Sequence, residues 1–347
     1  MQGGIEIARI SPVVIPVFVS NLGCRHRCIF CDQGQFSPPV RPGDIPGLVE
    51  TFLSGCANSP SRRRILGFFG GSFTGIKPGL LRSYLDVTRS LIADGTIHAA
   101  KASTRPDMVS DEVLDLLLTA GFEELEIGVQ SMDDAVLAAS GRGHTREDSI
   151  RACRQVRESG MRLGIQLMPG LPGEDAHSFR RTVDDAVCLR PHTARIYPTV
   201  VLKNTLLEEL YLGGGYEPLS LDEAVDRALH AVLRLQAHGC TILRIGLPQS
   251  PSLEVTAGPF HECLGFLVRA RAYRMMASKA MHTLGKDCML AVNPRDVPEL
   301  IGHRRQNLSD LNFLYSFDET IPRGTIRGTS GSESTCIQLQ DILEYIP

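Results

Sequence analysis

The chain has 347 residues, of which 43% are apolar and 22% charged, a composition typical of a globular protein and not of a disordered or collagen-like one. Its formal net charge of -3, from 36 basic and 39 acidic side chains, provides no overall attraction to nucleic acid or to an anionic membrane. The longest uncharged stretch, residues 10–23, contains two prolines and is shorter than the roughly 20 residues that a membrane helix needs. We therefore expect no transmembrane segment and no membrane partner.

The predicted elements alternate between strands and helices over the first two thirds of the chain, which indicates a parallel sheet covered by helices. The predicted strands are residues 13–19, 65–69, 97–102, 124–129, 162–167 and 194–198. The predicted helices between them are residues 45–54, 79–93, 111–120, 146–159 and 175–189. A capping box of Ser220 and Glu223 then predicts a further helix, followed by a strand at 241–245 and a long helix at 262–284.

This pattern predicts an α/β fold with about six βα units. We expect an incomplete (βα)6 TIM-like barrel over residues 10–245. Residues 246–347 are predicted to form a C-terminal α+β extension with a role in substrate binding.

The ten cysteines do not indicate a disulfide framework, because seven are scattered singly from Cys56 to Cys336. The first residues do not resemble a signal peptide, since Glu6 stands where basic residues are expected and no small-residue cleavage site follows. In a large chain of this kind, a tight cysteine cluster favours a metal or catalytic site over disulfides. We therefore expect a reducing, cytoplasmic location.

The remaining three cysteines, Cys24, Cys28 and Cys31, form a Cys-x3-Cys-x2-Cys cluster directly after the first predicted strand. Three thiolates on one short loop can bind three irons of a four-iron cluster and leave the fourth iron open to another ligand. Zinc is the alternative, but structural zinc is usually closed by four ligands, and the sequence contains no second Cys-x2-Cys pair. The spacing favours an iron–sulfur cluster over a zinc or redox site.

With Phe30 before its last cysteine, this spacing resembles that of the radical S-adenosylmethionine (SAM) superfamily. The resemblance implies that the cysteines hold a 4Fe-4S cluster and that SAM binds the open iron. It further implies that one electron cleaves SAM to a 5'-deoxyadenosyl radical, which abstracts hydrogen from a substrate. A reductase, flavodoxin or ferredoxin is then implied as the electron donor.

Polar or glycine-rich segments follow the predicted strands, where a barrel of this type places its functional residues. The resemblance implies SAM contacts from nine residues: Phe18, Phe30, Gly70, Gly71, Ser72, Ser103, Gln130, Arg142 and Gln166. In this interpretation Arg142 pairs with the SAM carboxylate and Gln166 binds ribose hydroxyls. The Gly-Gly-Ser sequence departs from the family's Gly-Gly-Glu and lacks its acidic side chain. The structural alternatives are ordinary strand-end turns, satisfied polar residues and a solvated cation.

Six motifs resemble one branch of this superfamily. They are Phe69-Gly-Gly-Ser-Phe-Thr, Ser103-Thr-Arg-Pro-Asp, Gly128-Val-Gln-Ser, Arg142-Gly-His-Thr, Met168-Pro-Gly-Leu-Pro-Gly and Ile196-Tyr-Pro-Thr. The branch is the radical domain of the Elongator catalytic subunit and, more distantly, oxygen-independent coproporphyrinogen oxidase; the resemblance covers roughly residues 12–245. It implies a tRNA substrate. The acetyl-dependent reaction is not carried over, because we expect too few residues beyond the match for an acetyltransferase domain.

Alternatives remain open at this point. A porphyrin-modifying radical SAM enzyme is disfavoured by Asp32-Gln33, where coproporphyrinogen oxidase has Gly-Cys. A non-catalytic iron–sulfur or zinc-binding protein would need the cysteines but not Gln130 or Arg142. No acid, base or radical-relay residue follows from the pattern; Tyr197 is the best-placed candidate, and a buried strand-end aromatic is its structural alternative.

One local feature bears on RNA. The predicted helix at 262–284 has no acidic side chain between Cys263 and Gly285, and its four cations form a predicted positive stripe: Arg269, Arg271, Arg274 and Lys279. Such a stripe can hold a phosphate backbone, although most charged helix faces are simply solvated.

Overall fold

The computed structural model describes residues 12–31, 38–55, 62–249 and 253–345. The strands are β1 Val13–Phe18, β2 Arg64–Phe69, β3 Ala99–Thr104, β4 Phe122–Gln130, β5 Arg162–Leu167, β6 Thr193–Ile196, β7 Val201–Leu202, β8 Thr241–Ile245, β9 Val255–Ala257, β10 Met289–Val292, β11 Leu314–Phe317, β12 Thr325–Ser330 and β13 Glu333–Gln338. The helices are α1 Ile45–Ser54, α2 Pro78–Ala93, α3 Asp111–Thr119, α4 Asp134–Ala139, α5 Arg146–Glu158, α6 Ala176–Cys188, α7 Leu206–Leu212, α8 Leu221–Ala237, α9 Leu264–Leu284, α10 Val297–Ile301 and α11 Gln306–Leu311.

The main sheet is a curled half-barrel of seven strands in the order β1-β2-β3-β4-β5-β6-β8. Every neighbouring pair is parallel, so the carboxyl ends of all seven strands meet at one edge. Six βα units lead into the seventh strand, β8. This architecture confirms the predicted α/β fold with an incomplete TIM-like barrel.

The two faces of the sheet have different chemistry, as β4 illustrates. Its residues Leu125, Ile127 and Val129 are fully buried in the apolar core, which joins the strands to the surrounding helices. Glu124 and Glu126 alternate with them and point to the barrel interior, because successive side chains of a strand face opposite ways. The half-barrel therefore has an apolar outer layer and a charged interior.

Local sequence signals account for the start of helix α8, which precedes the last strand of the half-barrel. Ser220 Oγ accepts a hydrogen bond from the Glu223 N–H at 3.3 Å, and Glu223 Oε2 accepts one from the Ser220 N–H at 2.9 Å. These bonds satisfy two backbone donors at the start of α8 and confirm the predicted capping box. Gly239, at φ +81°, follows the end of α8.

A second sheet, in the order β11-β10-β12-β13, lies in the C-terminal part of the chain. Helix α9 packs against α8 on one side and against β12 and β13 on the other. The division at residue 245 stays a prediction, as does a substrate-binding role for residues 246–347.

Several element boundaries differ from those predicted. Strand β3 begins at Ala99, not at Ile97, because the Ile97 N–H closes a turn onto the Leu91 carbonyl at 3.0 Å. Helices α4 and α7 were not predicted, since their six and seven residues are too short for a helical apolar period. None of the described helices combines the length and apolar character of a bilayer span. Glu6, Ile10, Asp32, Gln33 and Cys56 lie outside the described residues.

Candidate active site

The cysteine loop, residues 24–31, follows β1 and is held on one side by the glycine-rich turn after β2. The Ser72 N–H donates to the Leu22 carbonyl at 2.9 Å. A Cβ on Gly71 would lie 2.7 Å from that same carbonyl oxygen, and one on Gly23 would lie 2.1 Å from the Ser72 carbonyl oxygen. Only glycine permits this close approach of two backbones. The Gly-Gly-Ser turn therefore has a structural role in placing the cysteine loop.

The segment after α4 holds the other side of the cysteine loop. The Ile29 N–H donates to the Ser140 carbonyl at 3.2 Å. A Cβ on Gly143 would lie 2.5 Å from the His26 ring, and the φ of +67° at Gly143 also favours glycine. The cysteine loop is thus held between two segments that lie far from it along the chain, residues 70–72 and 140–143.

A cavity of about 510 Å³ opens beside the cysteine loop, at the carboxyl edge of the half-barrel. All twelve residues predicted to contact the cluster or SAM line it: Phe18, Cys24, Cys28, Phe30, Cys31, Gly70, Gly71, Ser72, Ser103, Gln130, Arg142 and Gln166. The structure brings them into one cavity, and their individual contacts with cofactors stay predictions.

Two guanidinium groups face the buried Cys28 sulfur. Arg142 Nη1 lies 3.2 Å from Cys28 Sγ, and Arg105 Nη1 lies 3.9 Å from it. Arg142 is fixed by a 2.7 Å bond from Nη2 to the Gly128 carbonyl, and Arg105 by a 2.9 Å bond from Nε to Asp107. These two cations place positive charge beside a sulfur that is a predicted iron ligand. Arg105 was not predicted as a site residue, although it stands in the Ser-Thr-Arg-Pro-Asp motif at the end of β3.

Two residues that line the cavity each have a buried polar atom without a hydrogen-bond partner among the described residues: Gln130 Oε1 and Arg142 Nε. A buried polar atom without a partner costs about 1–3 kcal/mol. Gln130 also has φ +65°, and the β4–β5 register shifts between Ile127 and Gln130. Strain of this kind is concentrated at functional sites. A ligand with both donors and acceptors, such as the amino-acid part of SAM, would satisfy both atoms.

The sulfur donors also fit the predicted cluster. Cys24 and Cys31 are half-buried, and Cys24 Sγ lies 3.4 Å from Ser72 Oγ. No three metal-binding side chains of the described residues converge around a single ion. A four-iron cluster does not require such convergence, because each thiolate binds a different iron.

A buried ion network below the cavity was missed by the sequence analysis. Lys101 Nζ lies 3.2 Å from Glu124 Oε1 and 2.9 Å from Glu126 Oε1, and Arg195 Nε lies 2.8 Å from Glu126 Oε2. Burial raises the pKa of Glu126, but the charges of Arg195 and Lys101 outweigh it and hold that pKa below its usual value. The i, i+2 spacing of the two glutamates within a strand was the signal that could have revealed this network.

His144, also missed, is a buried neutral group next to the site. Burial, followed by the positive charges of Arg142 and Arg105, lowers the pKa of His144 to about 3. Neither ring nitrogen has a hydrogen-bond partner among the described residues. The ring therefore stays uncharged beside the two guanidinium groups.

Helix α9 does not present the free positive stripe that its own sequence predicts. Arg269 pairs with Glu299 at 3.1 Å and Arg271 with Asp222 at 2.5 Å. Arg274 pairs with Asp310, and Lys279 donates to the Asp341 carbonyl at 2.6 Å. These partners come from other parts of the chain, so the sequence of this helix alone does not reveal them.

Two family models match the chain. The model of the radical SAM superfamily matches residues 19–186, and that of the radical SAM C-terminal domain matches residues 191–274. Together they cover more than half of the sequence. The cysteine loop and every predicted SAM residue except Phe18 fall within the first match.

Two curated proteins of Methanocaldococcus jannaschii are similar to this chain. The first is a tRNA uridine(34) acetyltransferase, 27% identical over 270 residues that cover 64% of this chain and 50% of that protein. The second is an uncharacterised protein, 30% identical over 224 residues that cover 61% of this chain and 68% of that protein. The chain thus spans about half the length of the acetyltransferase that it matches.

Among solved structures, the fold is similar to that of Elp3 from the archaeon Methanocaldococcus infernus with an N-terminal deletion. The TM-score is 0.58 at 20% identity, over 78% of this chain and 64% of that one. This similarity supports the incomplete barrel with a C-terminal extension.

Proposed function

Because this chain belongs to the radical SAM superfamily and is a radical SAM enzyme, we propose that it cleaves SAM reductively and abstracts hydrogen from a tRNA substrate. Members of the family bind a 4Fe-4S cluster and SAM. The observation that carries the proposal is the convergence, in one cavity, of three cysteines with the unpartnered buried atoms of Gln130 and Arg142.

Cys24, Cys28 and Cys31 would hold the cluster, and the cluster with SAM would supply a 5'-deoxyadenosyl radical. The protein's own contribution is to fix the position of the cysteine loop and to provide positive charge beside it. Arg105 and Arg142 put positive charge beside Cys28, which would offset the negative charge of a cluster bound there. The glycine contacts on both sides of the cysteine loop restrict its movement.

The remaining predicted SAM residues line different walls of the same cavity. Gln166 Nε2 donates to Ser103 Oγ at 3.4 Å and to Glu126 Oε2 at 3.2 Å. This leaves the Gln166 carbonyl oxygen and the Ser103 hydroxyl proton for ribose hydroxyls. Phe18, 47% exposed, offers an apolar surface for adenine. Gln130 and Arg142 take the amino-acid part of SAM.

The tRNA substrate is supported by the similarity to a tRNA uridine(34) acetyltransferase and by the positive charge of the cavity. Four arginines line it: Arg105, Arg142, Arg195 and Arg244. Arg105 pairs with Asp107 and Arg195 with Glu126, whereas Arg142 and Arg244 have no carboxylate partner among the described residues. Acetyl transfer is not part of the proposal, because the match covers only 50% of the tRNA uridine(34) acetyltransferase. A flavodoxin, ferredoxin or reductase as electron donor, and a reducing cytoplasmic location, belong to the same proposal.

The test is anaerobic reconstitution with iron and sulfide, reduction, addition of SAM with or without unmodified tRNA, and chromatography for 5'-deoxyadenosine. We expect product from the wild type, none from Cys28→Ala, and near wild-type amounts from Cys153→Ala. Cys153 is the matched control, because it lies in the core of α5 and burial raises the pKa of its thiol to about 12.

Three outcomes would contradict the proposal. A chain that binds zinc but holds no iron would exclude radical chemistry. A full four-iron cluster without 5'-deoxyadenosine under every condition would exclude SAM cleavage. Product that is unchanged by tRNA but stimulated by coproporphyrinogen would keep the radical chemistry and move the substrate to the porphyrin class.

A further inference from the structure

A polar row crosses three neighbouring strands at the carboxyl edge of the half-barrel. Gln166 of β5 is the register partner of Arg195 of β6, and Arg195 is the register partner of Arg244 of β8. All three residues line the cavity. The row therefore runs from the predicted ribose contact at Gln166 to the last strand of the sheet.

The two arginines of this row are neutralised to different extents. Arg195 pairs with Glu126 at 2.8 Å, stacks on the Phe69 ring at 5.3 Å from its centroid and donates to the Tyr197 hydroxyl at 3.3 Å. Arg244 has no ion-pair partner among the described residues. Its Nε donates to the Gly246 carbonyl at 3.1 Å, which fixes one edge of the guanidinium.

Arg195 already has Glu126 as its carboxylate partner, whereas no ion pair to Arg244 is found among the described residues. Arg244 is also exposed, so an anion can reach its guanidinium group from solvent. The Nη atoms of Arg244 remain available for a planar, two-point contact, the geometry in which guanidinium binds phosphate.

We propose that Arg244, next to Arg195 on the Gln166–Arg195–Arg244 row, is a subsite for a backbone phosphate of the RNA substrate. The proposal rests on the proposed function, since it supplies the substrate contact that function needs. The target nucleotide would enter the cavity near Gln166, and its flanking phosphate would stay at the rim on Arg244. Tyr197, which also lines the cavity, would face the nucleotide between Gln166 and Arg244.

The test is direct binding of an unmodified anticodon stem–loop RNA to the cluster-containing protein, kept anaerobic without reductant so that no turnover is needed. The dissociation constant is measured over a series of salt concentrations for the wild type, Arg244→Gln and Arg82→Gln. Arg82 is the matched control: it is an exposed arginine of α2 outside the cavity, with no ion pair among the described residues. Circular dichroism and iron content establish that each variant is folded and loaded.

We expect Arg244→Gln to weaken binding about tenfold and to lower the slope of log Kd against log salt by about 0.7, the contribution of one single-strand phosphate. Arg82→Gln should match the wild type. Equal slopes for wild type and Arg244→Gln, with RNA bound by both, would overturn the subsite and leave the proposed function standing. Absence of RNA binding by the wild type would overturn the subsite together with the tRNA substrate of the proposed function. Coproporphyrin binding that depends on Arg244 would assign the subsite to carboxylates instead of phosphate.

Discussion

Helix α9 and the cavity both present arginines, but the groups that these arginines contact differ. On α9, Arg269, Arg271 and Arg274 each meet a carboxylate from another helix or its flanking turn. In the cavity, Arg142 meets a sulfur and a main-chain carbonyl, and Arg244 meets only a carbonyl. The arginines of α9 are therefore paired with carboxylates, whereas Arg142 and Arg244 in the cavity remain available to a ligand.

A count of charges along a segment therefore does not locate an anion site. What matters is whether the folded chain brings a carboxylate to each cation. Four changes test the contrast, beginning with the one expected to have the largest effect.

Replacement of Glu126 by Gln should be the most damaging. It leaves the buried charge of Arg195 without its carboxylate, and we expect the free energy of unfolding to fall by about 3 kcal/mol. Urea unfolding measures this. The control is Glu123→Gln, whose carboxylate pairs with the exposed Arg63 at 2.6 Å and should contribute less than about 1 kcal/mol. Equal losses in the two variants would show that the interior network is no more important than a surface pair.

Replacement of Arg142 by Gln should weaken retention of the cluster. The variant lacks the charge that faces Cys28 Sγ at 3.2 Å, and we expect iron loss to a chelator to be about 10- to 100-fold faster. Arg142→Lys keeps the charge, and its rate of iron loss should lie between those of Arg142→Gln and the wild type. Iron release at the wild-type rate in Arg142→Gln would show that this arginine has no role in retaining the cluster.

Replacement of His144 by Gln should change the pH dependence of stability. The folded pKa of about 3 lies below the ordinary value of 6.5, so the unfolded chain binds the proton first as the pH falls. The stability associated with neutral His144 is therefore present above pH 6.5 and is lost progressively towards pH 3. Between pH 7 and pH 5 the wild type should lose about 2 kcal/mol through this residue.

His144→Gln should not lose this unfolding free energy between pH 7 and pH 5. Urea unfolding of the cluster-free chain at the two pH values checks it, with the exposed His177→Gln as control. A wild-type pH profile in His144→Gln would mean that the imidazole is not held neutral by its surroundings.

Replacement of Arg274 by Ala should have the smallest effect. Its partner Asp310 is on the surface, and we expect a loss of less than about 1 kcal/mol in unfolding free energy. Binding of stem–loop RNA should be unchanged, in contrast to Arg244→Gln. Weaker RNA binding by Arg274→Ala, comparable to that of Arg244→Gln, would restore α9 as an RNA surface.

Local patterns were sufficient for the framework and for part of the site. Strand and helix alternation predicted the half-barrel, because apolar periodicity depends on neighbours along the chain. The spacing of Cys24, Cys28 and Cys31 predicted the cluster site, since all three stand on one loop. The strand-end residues Gln130 and Gln166 could be placed beside it because parallel strands end at one edge.

Only the tertiary structure determined which charges face one another. Glu126 lies 2.9 Å from Lys101 and 2.8 Å from Arg195 because three strands, separated by helices, turn these side chains to the same interior. Arg244 lies beside Arg195 through strand register, and a shift of one residue would turn it to the opposite face of the sheet. Partner identity depends on register and on contacts between distant segments, so the pairing of a cation cannot be read from its own segment.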